Sequence, residues 1–194
     1  MSQKASAALC LIMRNEESVI LSCLNSVRHL VDTMVIVDTG SEDRSVALAQ
    51  EAGAEVYRFP WSGNFAQARN FALEQATSDW ILVLDADEVL QPVSQVSFQE
   101  LLLQLEVEGY FLTIENHLGF GQEATQDQVV RLFRNKPAYR FAGAIHEQIA
   151  AAILQANDNR GLAKASLVIK HYGYLPDSGK IKDKFLRNTA ILVR

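Results

Sequence analysis

The sequence predicts a single α/β domain built on a mostly parallel sheet with helices on both faces. Two observations lead to this prediction. Short apolar runs alternate with amphipathic segments through the first half of the chain, in the order β-α-β-α-β-α-β, and this alternation is typical of parallel strands joined by right-handed crossovers. The length of 194 residues suits one hydrophobic core of ordinary size.

The first half contains four predicted strands and three predicted helices. The strands are Ala7–Met13, residues 34–38, Glu55–Arg58 and residues 80–84. The helices are residues 16–29, a second helix that is capped by Ser41 or Asp43 and runs to about Gly53, and a third that runs from its N-cap Asn64 through Ala76.

The pattern of the second half is less regular. Residues 97–100 (SFQE) look like a capping box that opens a Leu-rich helix. Strands are predicted over Gly109–Asn116, residues 128–133 and residues 166–172, with an irregular segment over residues 139–146. Residues 180–194 have the pattern of a helix without a terminal cap, so we expect the segment to continue in longer relatives.

Composition and charge narrow the class of protein. The net charge of −5 provides no broad basic field, so nucleic acid is not an expected partner. Cys10 and Cys23 lack metal-site or redox spacing and are expected to be buried free thiols. The apolar run at residues 7–13 is too short for a membrane span and has no features of a secretory signal. We expect a cytoplasmic protein and leave open a peripheral contact with the inner face of the membrane.

Polar clusters follow three of the predicted strands. They occupy residues 14–17 (RNEE), 38–39 (DT) and 85–88 (DADE). Ligands of open α/β sheets bind outside the carboxyl ends of the strands. The three clusters are therefore expected to share one binding edge.

Asp85 and Asp87 are the sharpest of these features. In an extended segment, side chains at i and i+2 project to the same side, so both carboxylates can face one point. Two carboxylates about 4 Å apart repel by roughly 4 kcal/mol at an effective dielectric constant near 20, and a bound cation would remove that cost. Ligation by oxygen favours Mg²⁺ or Mn²⁺. The alternative is a solvated acidic turn without a metal.

Four further residues are candidates for binding or catalysis. Asp38 can accept hydrogen bonds from a ribose or a base, or it can organise its own turn. Arg69 can pair with a phosphate, although a surface ion pair is the simpler interpretation. Glu147 can act as a general base, which is typically worth about 10²–10⁴ in rate; a second His is missing, so the H-E-x-x-H zinc motif is excluded. His171 can be a third metal ligand or an ordinary core residue.

Seven segments, in their order and spacing, resemble the inverting, bacterial-type family 2 glycosyltransferases, which have the Rossmann-like GT-A fold. The resemblance covers nearly the whole chain, from about residue 9 to residue 174. The segments are residues 11–17 (LIMRNEE), 35–43 (VIVDTGSED), 65–70 (FAQARN), 80–88 (WILVLDADE), 131–134 (RLFR), 143–147 (GAIHE) and 171–174 (HYGY).

The resemblance implies a nucleotide diphospho-sugar donor, most often a UDP-sugar, and Mn²⁺ or Mg²⁺ as the cofactor. It also implies roles for individual residues. The donor would be bound by Asn15, Glu17, Asp38, Arg69 and Asp85, the metal by Asp85, Asp87 and His171, and Glu147 would be the catalytic base. The sugar would move in a single in-line displacement that inverts its anomeric carbon.

The motifs look especially like a bacterial subgroup that includes peptide glycosyltransferases and lipopolysaccharide core glucosyltransferases. The implied acceptor is therefore a glycan, a lipid-linked sugar or a peptide. On this basis the chain divides into a nucleotide-sugar-binding half over residues 1–116, an acceptor and catalytic half over residues 117–179, and the start of a C-terminal helical extension over residues 180–194.

Three alternatives are weighed against this interpretation. A donor-binding module of the same fold would bind UDP with Mn²⁺ but show no turnover. A phosphatase of the haloacid dehalogenase type would use Asp85 as nucleophile and Asp87 as general acid, but its motif belongs on the first strand and here three strand–helix units precede it. A nucleotidyltransferase would want a Gly-rich loop after the first strand, where residues 14–17 contain no glycine.

Overall fold

The computed structural model describes residues 4–117 and 125–172 of the chain. Strands and helices alternate in its first half. The strands are β1 (Ala7–Met13), β2 (Thr33–Asp38), β3 (Glu55–Arg58), β4 (Trp80–Val83), β5 (Glu88–Leu90), β6 (Gly109–Asn116), β7 (Thr125–Arg134) and β8 (Leu162–His171). The helices are α1 (Ile20–Val27), α2 (Ser45–Glu51), α3 (Phe65–Gln75), α4 (Gln95–Leu102) and α5 (Ala150–Ala156).

These strands form one sheet in the order β3-β2-β1-β4-β7-β6-β8-β5. The first four strands of that order are parallel, as the sequence predicts. The other four strands of that order add β7 and β6 in antiparallel pairings, then β8 parallel to β6 and β5 antiparallel to β8. The predicted α/β fold is confirmed, and its antiparallel half brings β5 and β8 beside each other.

Two apolar layers cover the faces of the sheet. Alternate residues of each strand point to opposite faces, so Leu9 and Leu11 of β1 join one layer while Ala8 and Cys10 join the other. Helices α1, α2 and α4 contribute to the first layer, and α3 and α5 contribute to the second. Because both faces are packed, functional groups are left to the strand ends.

Several predicted bounds are confirmed and others are wrong. The structure reproduces β1, β3 and β6 as predicted, and the Asn64 side chain caps α3 by accepting from Gln67 N. The first helix begins at Ile20 and not at residue 16. The Glu16 amide donates to the Ser45 hydroxyl at the start of α2, and the Glu17 amide donates to Asp43 in the loop after β2. The strands predicted at 128–133 and 166–172 are the longer β7 and β8.

The predicted capping box at residues 97–100 is wrong. Helix α4 begins at Gln95, and Ser94 is its N-cap, since the Ser94 hydroxyl accepts from Ser97 N at 3.0 Å. Ser97 therefore lies inside the first turn of α4. Serine is a favoured N-cap residue, so both Ser94 and Ser97 were candidates for the start of this helix, and the prediction considered only Ser97.

Strand β5 and helix α5 were not predicted from the sequence. Strand β5 has three residues, and helix α5 has seven and follows directly on an irregular segment. The helix predicted over residues 180–194 lies outside the described residues. Among the helices that the structure describes, none is both long and apolar enough to cross a membrane.

Candidate active site

The carboxyl ends of β1, β2 and β4 meet at one edge of the sheet, as the sequence predicts. Met13 of β1 pairs with Asp38 of β2, and Cys10 of β1 pairs with Val83 of β4. Strand β1 lies between the other two, so β2 and β4 are two interstrand spacings apart, roughly 10 Å, and the end of β4 lies three residues short of the end of β1. The loops that follow these strands are neighbours.

The loop after β1 is fastened to the loop after β2. Asn15, which has a left-handed backbone with φ of 56°, accepts from the Glu42 amide through Oδ1 at 2.8 Å. The Glu17 carboxylate accepts from the Arg44 amide at 3.0 Å, and the Glu17 amide donates to Asp43. Asn15 and Glu17 therefore shape the edge of the sheet, and their direct contact with a donor stays a prediction.

Asp38 organises its own turn and also lines a cleft. Its carboxylate is buried and accepts from the amides of Gly40 and Ser41 at 3.1–3.3 Å. The cleft has a volume of about 350 Å³ and lies between the turn after β2 and the end of β3. Its lining residues are Asp38, Thr39, Gly40, Ser41, Glu42, Arg58, Phe59 and Pro60. This volume is within the range of small-molecule sites.

Residues 85–87 form a turn, with the Glu88 amide donating to the Asp85 carbonyl at 3.0 Å. The assumption of an extended segment is therefore wrong, and the two carboxylates have different partners. Asp85 accepts from Arg69 Nη2 at 2.6 Å and from Arg131 Nη2 at 3.2 Å. Burial by itself raises the pKa of Asp85, but the charges of the two arginines outweigh it and hold that pKa far below its usual range.

Arg69 is buried on α3 and joins Asp85 to Glu147. Its Nε donates to Glu147 Oε1 at 2.5 Å, and its side chain is only 8% exposed. The simpler interpretation from the sequence, a surface ion pair, is wrong because both partners lie inside the site. The Arg69 Nη1 atom is buried and has no hydrogen-bond partner among the described residues.

Glu147 reaches Arg69 from an irregular segment that is shaped by its backbone. Gly143 and His146 have positive φ values of 106° and 55°, and the two ends of the segment are joined by a bridge between Ala142 and Gln148. The predicted irregularity over residues 139–146 is confirmed. The chain therefore turns back on itself and carries the Glu147 carboxylate to the strand edge.

Asp87 is paired with His171. His171 Nε2 lies 3.3 Å from Asp87 Oδ2, and Nδ1 lies 2.7 Å from Asn116 Oδ1. Burial lowers the pKa of His171, but the hydrogen bond and the negative charge of Asp87, with Glu88 and Asp85 behind it, raise that pKa overall. The structure thus brings the predicted Asp87 and His171 together across β5 and β8.

Glu88 and Arg131 belong to the site but were not candidates from the sequence. Glu88 is 1% exposed; it accepts from Arg131 Nη2 at 2.7 Å and from the Asp85 amide at 2.8 Å. Burial raises the pKa of Glu88 to about 7, with Arg131 opposing the rise and Asp85 adding to it. The available signal was a charged residue inside an apolar strand, Arg131 within VVRLF.

The site carries an excess of negative charge that fits a divalent cation. Its four carboxylates outnumber its two guanidiniums by two when all are ionised and His171 is neutral. Within residues 4–117 and 125–172, no group of three or more His, Cys, Asp or Glu side chains is arranged to hold a metal. The chain thus offers Asp87 and His171 as a pair of donors, and phosphate oxygens and water would complete the coordination of Mg²⁺ or Mn²⁺.

The chain belongs to glycosyl transferase family 2, whose sequence model matches residues 8–155. It is 40% identical over 174 residues to a TPR repeat-containing protein of Synechococcus elongatus, a match that covers 88% of this chain and 43% of that protein. It is 27% identical over 183 residues to the glycosyltransferase SunS of Bacillus phage SPbeta, covering 92% of this chain and 42% of that protein. The chain thus spans less than half the length of these curated relatives.

Solved structures confirm the predicted GT-A fold. S. aureus TarS 1–349 in complex with UDP-GlcNAc superposes with a TM-score of 0.65 at 15% identity, over 86% of this chain and 59% of that chain. Glucosyl-3-phosphoglycerate synthase from Mycobacterium tuberculosis, in complex with Mn²⁺, UDP and glucosyl-3-phosphoglycerate, gives 0.62 at 16% identity, over 97% and 79%. Both are similar to this chain in fold.

Proposed function

We propose that this chain transfers a sugar from a UDP-sugar to an acceptor hydroxyl or amide with inversion at the anomeric carbon. The observation that carries this proposal is the position of Arg69, which connects Glu147 to Asp85 beside the pair of Asp87 and His171. Membership of family 2 supports the reaction type. The named UDP complexes of two proteins with the same fold support the choice of donor.

The two parts of the donor, its nucleoside and its diphosphate, bind at different places along this edge of the sheet. The cleft beside Asp38 receives the nucleoside, and the diphosphate extends toward the end of β4. Asp87 and His171 would hold the divalent cation, which when bound neutralises charge on the leaving diphosphate. Asp85 is already held by two arginines and is a weaker candidate for the metal than Asp87.

Glu147 takes the proton of the acceptor as the new bond forms at the anomeric carbon. The bond from that carbon to the diphosphate oxygen breaks, and UDP leaves with the bonding electrons. Arg69 fixes Oε1 of Glu147, and Oε2 has no hydrogen-bond partner among the described residues. The second oxygen is therefore the one that faces the acceptor.

The donor assignment is tested by calorimetry with UDP in the presence and absence of MnCl₂. We expect UDP binding that depends on Mn²⁺ in the wild-type protein and its loss in Asp87→Ala, with an unchanged melting temperature. Glu100→Ala removes an exposed carboxylate from α4 and serves as the control. Equal UDP affinity for wild type and Asp87→Ala in Mn²⁺ would remove Asp87 from the site.

The base is tested with Glu147→Gln, which keeps an oxygen for Arg69 but cannot accept a proton. We expect UDP to bind as in the wild type while release of UDP from UDP-glucose or UDP-GlcNAc slows by at least about 10²-fold. Wild-type rates in Glu147→Gln would exclude it as the base. UDP binding without turnover in the wild-type chain, with acceptors present, would favour the donor-binding module instead.

A further inference from the structure

Asn116 and Asp127 extend the pair of Asp87 and His171 into a chain of hydrogen bonds. The Asn116 side chain lies 2.7 Å from His171 Nδ1 through Oδ1, and its Nδ2 donates to Asp127 Oδ2 at 2.8 Å. Asn116 is 8% exposed, whereas Asp127 is exposed. The four residues therefore lead from the surface to the candidate active site across β7, β6, β8 and the turn before β5.

The register of the sheet produces this arrangement. Asn116, the last residue of β6, pairs with His171, the last residue of β8. Asp127 lies on β7, which is antiparallel to β6 on its other side, and is paired with Ile114 two residues before Asn116. Because residues two apart share a face of the sheet, the side chains of Asn116 and Asp127 can meet.

Chemistry fixes the direction of each hydrogen bond in the chain. An ionised carboxylate only accepts, so the group of Asn116 that faces Asp127 must be its NH₂ group. Its carbonyl oxygen then faces His171, and that oxygen also only accepts. Nδ1 of His171 must therefore carry a proton. While Nε2 also carries a proton, it donates to the Asp87 carboxylate; once that proton is lost, the proton on Nδ1 stays and the lone pair of Nε2 faces Asp87.

We infer that Asn116 and Asp127 are positioning residues, which hold His171 in the tautomer and orientation that presents Nε2 as a ligand beside Asp87. The inference rests on the proposed function, because it gives Nε2 a cation to bind. Partners of this kind around metal-ligating histidines typically contribute about 10- to 100-fold in metal affinity.

The tautomer can be measured without any metal. At a pH high enough for neutral imidazole, two-bond ¹H–¹⁵N NMR correlations of the wild-type protein should show His171 protonated at Nδ1. The His171→Gln spectrum identifies the signal among the four histidines of the chain. Asn116→Leu removes the acceptor at nearly constant volume and should lose the Nδ1 preference. A wild-type His171 protonated at Nε2 would overturn the inference.

Metal affinity gives the second measurement. With UDP present, Asn116→Leu should bind Mn²⁺ about 10- to 100-fold more weakly than the wild type. In the double variant Asn116→Asp with Asp127→Asn, His171 Nδ1–H still donates to an oxygen at position 116, and only the bond between positions 116 and 127 exchanges its donor and acceptor, so the variant should recover the affinity. Gln126→Leu removes the hydrogen bond to Glu115 between the same two strands and should change neither the tautomer nor the affinity.

The outcomes separate the inference from the proposed function. A wild-type protein that binds UDP without any dependence on Mn²⁺ would overturn the metal role of Asp87 and His171. Wild-type binding that depends on Mn²⁺, together with unchanged Mn²⁺ affinity in a folded Asn116→Leu, would overturn only the role of Asn116 and Asp127. If Asn116→Leu does not fold, failure of the folded double variant to bind Mn²⁺ as the wild type does would overturn it as well.

Discussion

Arg69 and Arg131 both donate to the carboxylate of Asp85, and each reaches one more acid. Arg69 joins Asp85 to Glu147, and Arg131 joins it to Glu88. A buried ion pair adds little to stability when complete, because desolvation offsets attraction. Removing only one partner of such a pair is costly, because the other group stays buried without a partner.

Arg131→Met is therefore expected to destabilise the fold by about 3–5 kcal/mol, since the buried Glu88 would lose its guanidinium partner and must either take up a proton or keep an unpaired charge. Urea unfolding followed by circular dichroism measures the change in the free energy of unfolding. Arg160→Met removes an exposed arginine and should stay within about 0.5 kcal/mol of the wild type. A loss below 1 kcal/mol in Arg131→Met would show that Glu88 and Asp85 do not depend on this guanidinium.

The positions of site residues were predictable where a side chain follows a strand and unpredictable where it enters the site from the middle of another strand. Asp38 and Asp87 lie at strand ends, and the alternating pattern places them at one edge. Arg131 comes from the middle of β7, whose antiparallel pairing with β4 has no local signal. The structure shows the hydrogen bonds of Asp38 to its own turn, and its contact with a nucleoside stays a prediction.

At the scale of elements, the sequence prediction and the structure differ in the N-cap of α4, which is Ser97 in the prediction and Ser94 in the structure. Ser94→Ala removes the acceptor for the Ser97 amide and should cost about 1 kcal/mol of unfolding free energy. Ser97→Ala keeps that cap and removes an exposed hydroxyl that lies 2.9 Å from the Ser94 hydroxyl, so we expect a smaller loss. Urea unfolding of both variants tests this order. A larger loss of unfolding free energy in Ser97→Ala than in Ser94→Ala would instead support the capping box at Ser97.

Gly161 joins α5 to β8 in a position that a larger residue does not fit. Its φ is 88°, and an added Cβ would lie 2.8 Å from Glu108 Cγ, which Lys136 and Tyr139 hold in place. Gly53 has the same φ but no atom within 4 Å of that position.

Gly53→Ala should therefore cost only the backbone strain, roughly 1–2 kcal/mol. Gly161→Ala should cost about 1–3 kcal/mol more, because Glu108 must move. Thermal unfolding of the two variants measures the difference. Equal melting temperatures of Gly53→Ala and Gly161→Ala would mean that the Glu108 side chain moves aside without a cost in stability.

Strand β5 and helix α5 show why the elements after Asp87 were harder to predict. The three residues of β5 are a strand because they pair with β8, more than seventy residues later in the chain. Strand β8 in turn takes its place beside β6. Such pairings depend on contacts distant in sequence, whereas the first half follows from local periodicity and the rules for parallel sheets.

At the scale of the whole molecule, the two halves of the chain meet at the site. The parallel half contributes Asp38, Asp85 and Arg69, and the antiparallel half contributes Arg131 and His171. The four carboxylates of the site, Asp85, Asp87, Glu88 and Glu147, exceed its two guanidiniums by two charges when all are ionised, an excess that one divalent cation would offset. Binding at the strand edge is therefore the central claim.

Diffraction from crystals grown with UDP and MnCl₂, recorded at the manganese absorption edge, tests this claim most directly. We predict an anomalous peak in contact with Asp87 and His171, with the diphosphate beside it and the nucleoside in the cleft next to Asp38. A manganese peak away from Asp87, or UDP bound outside the carboxyl ends of β1, β2 and β4, would contradict the account.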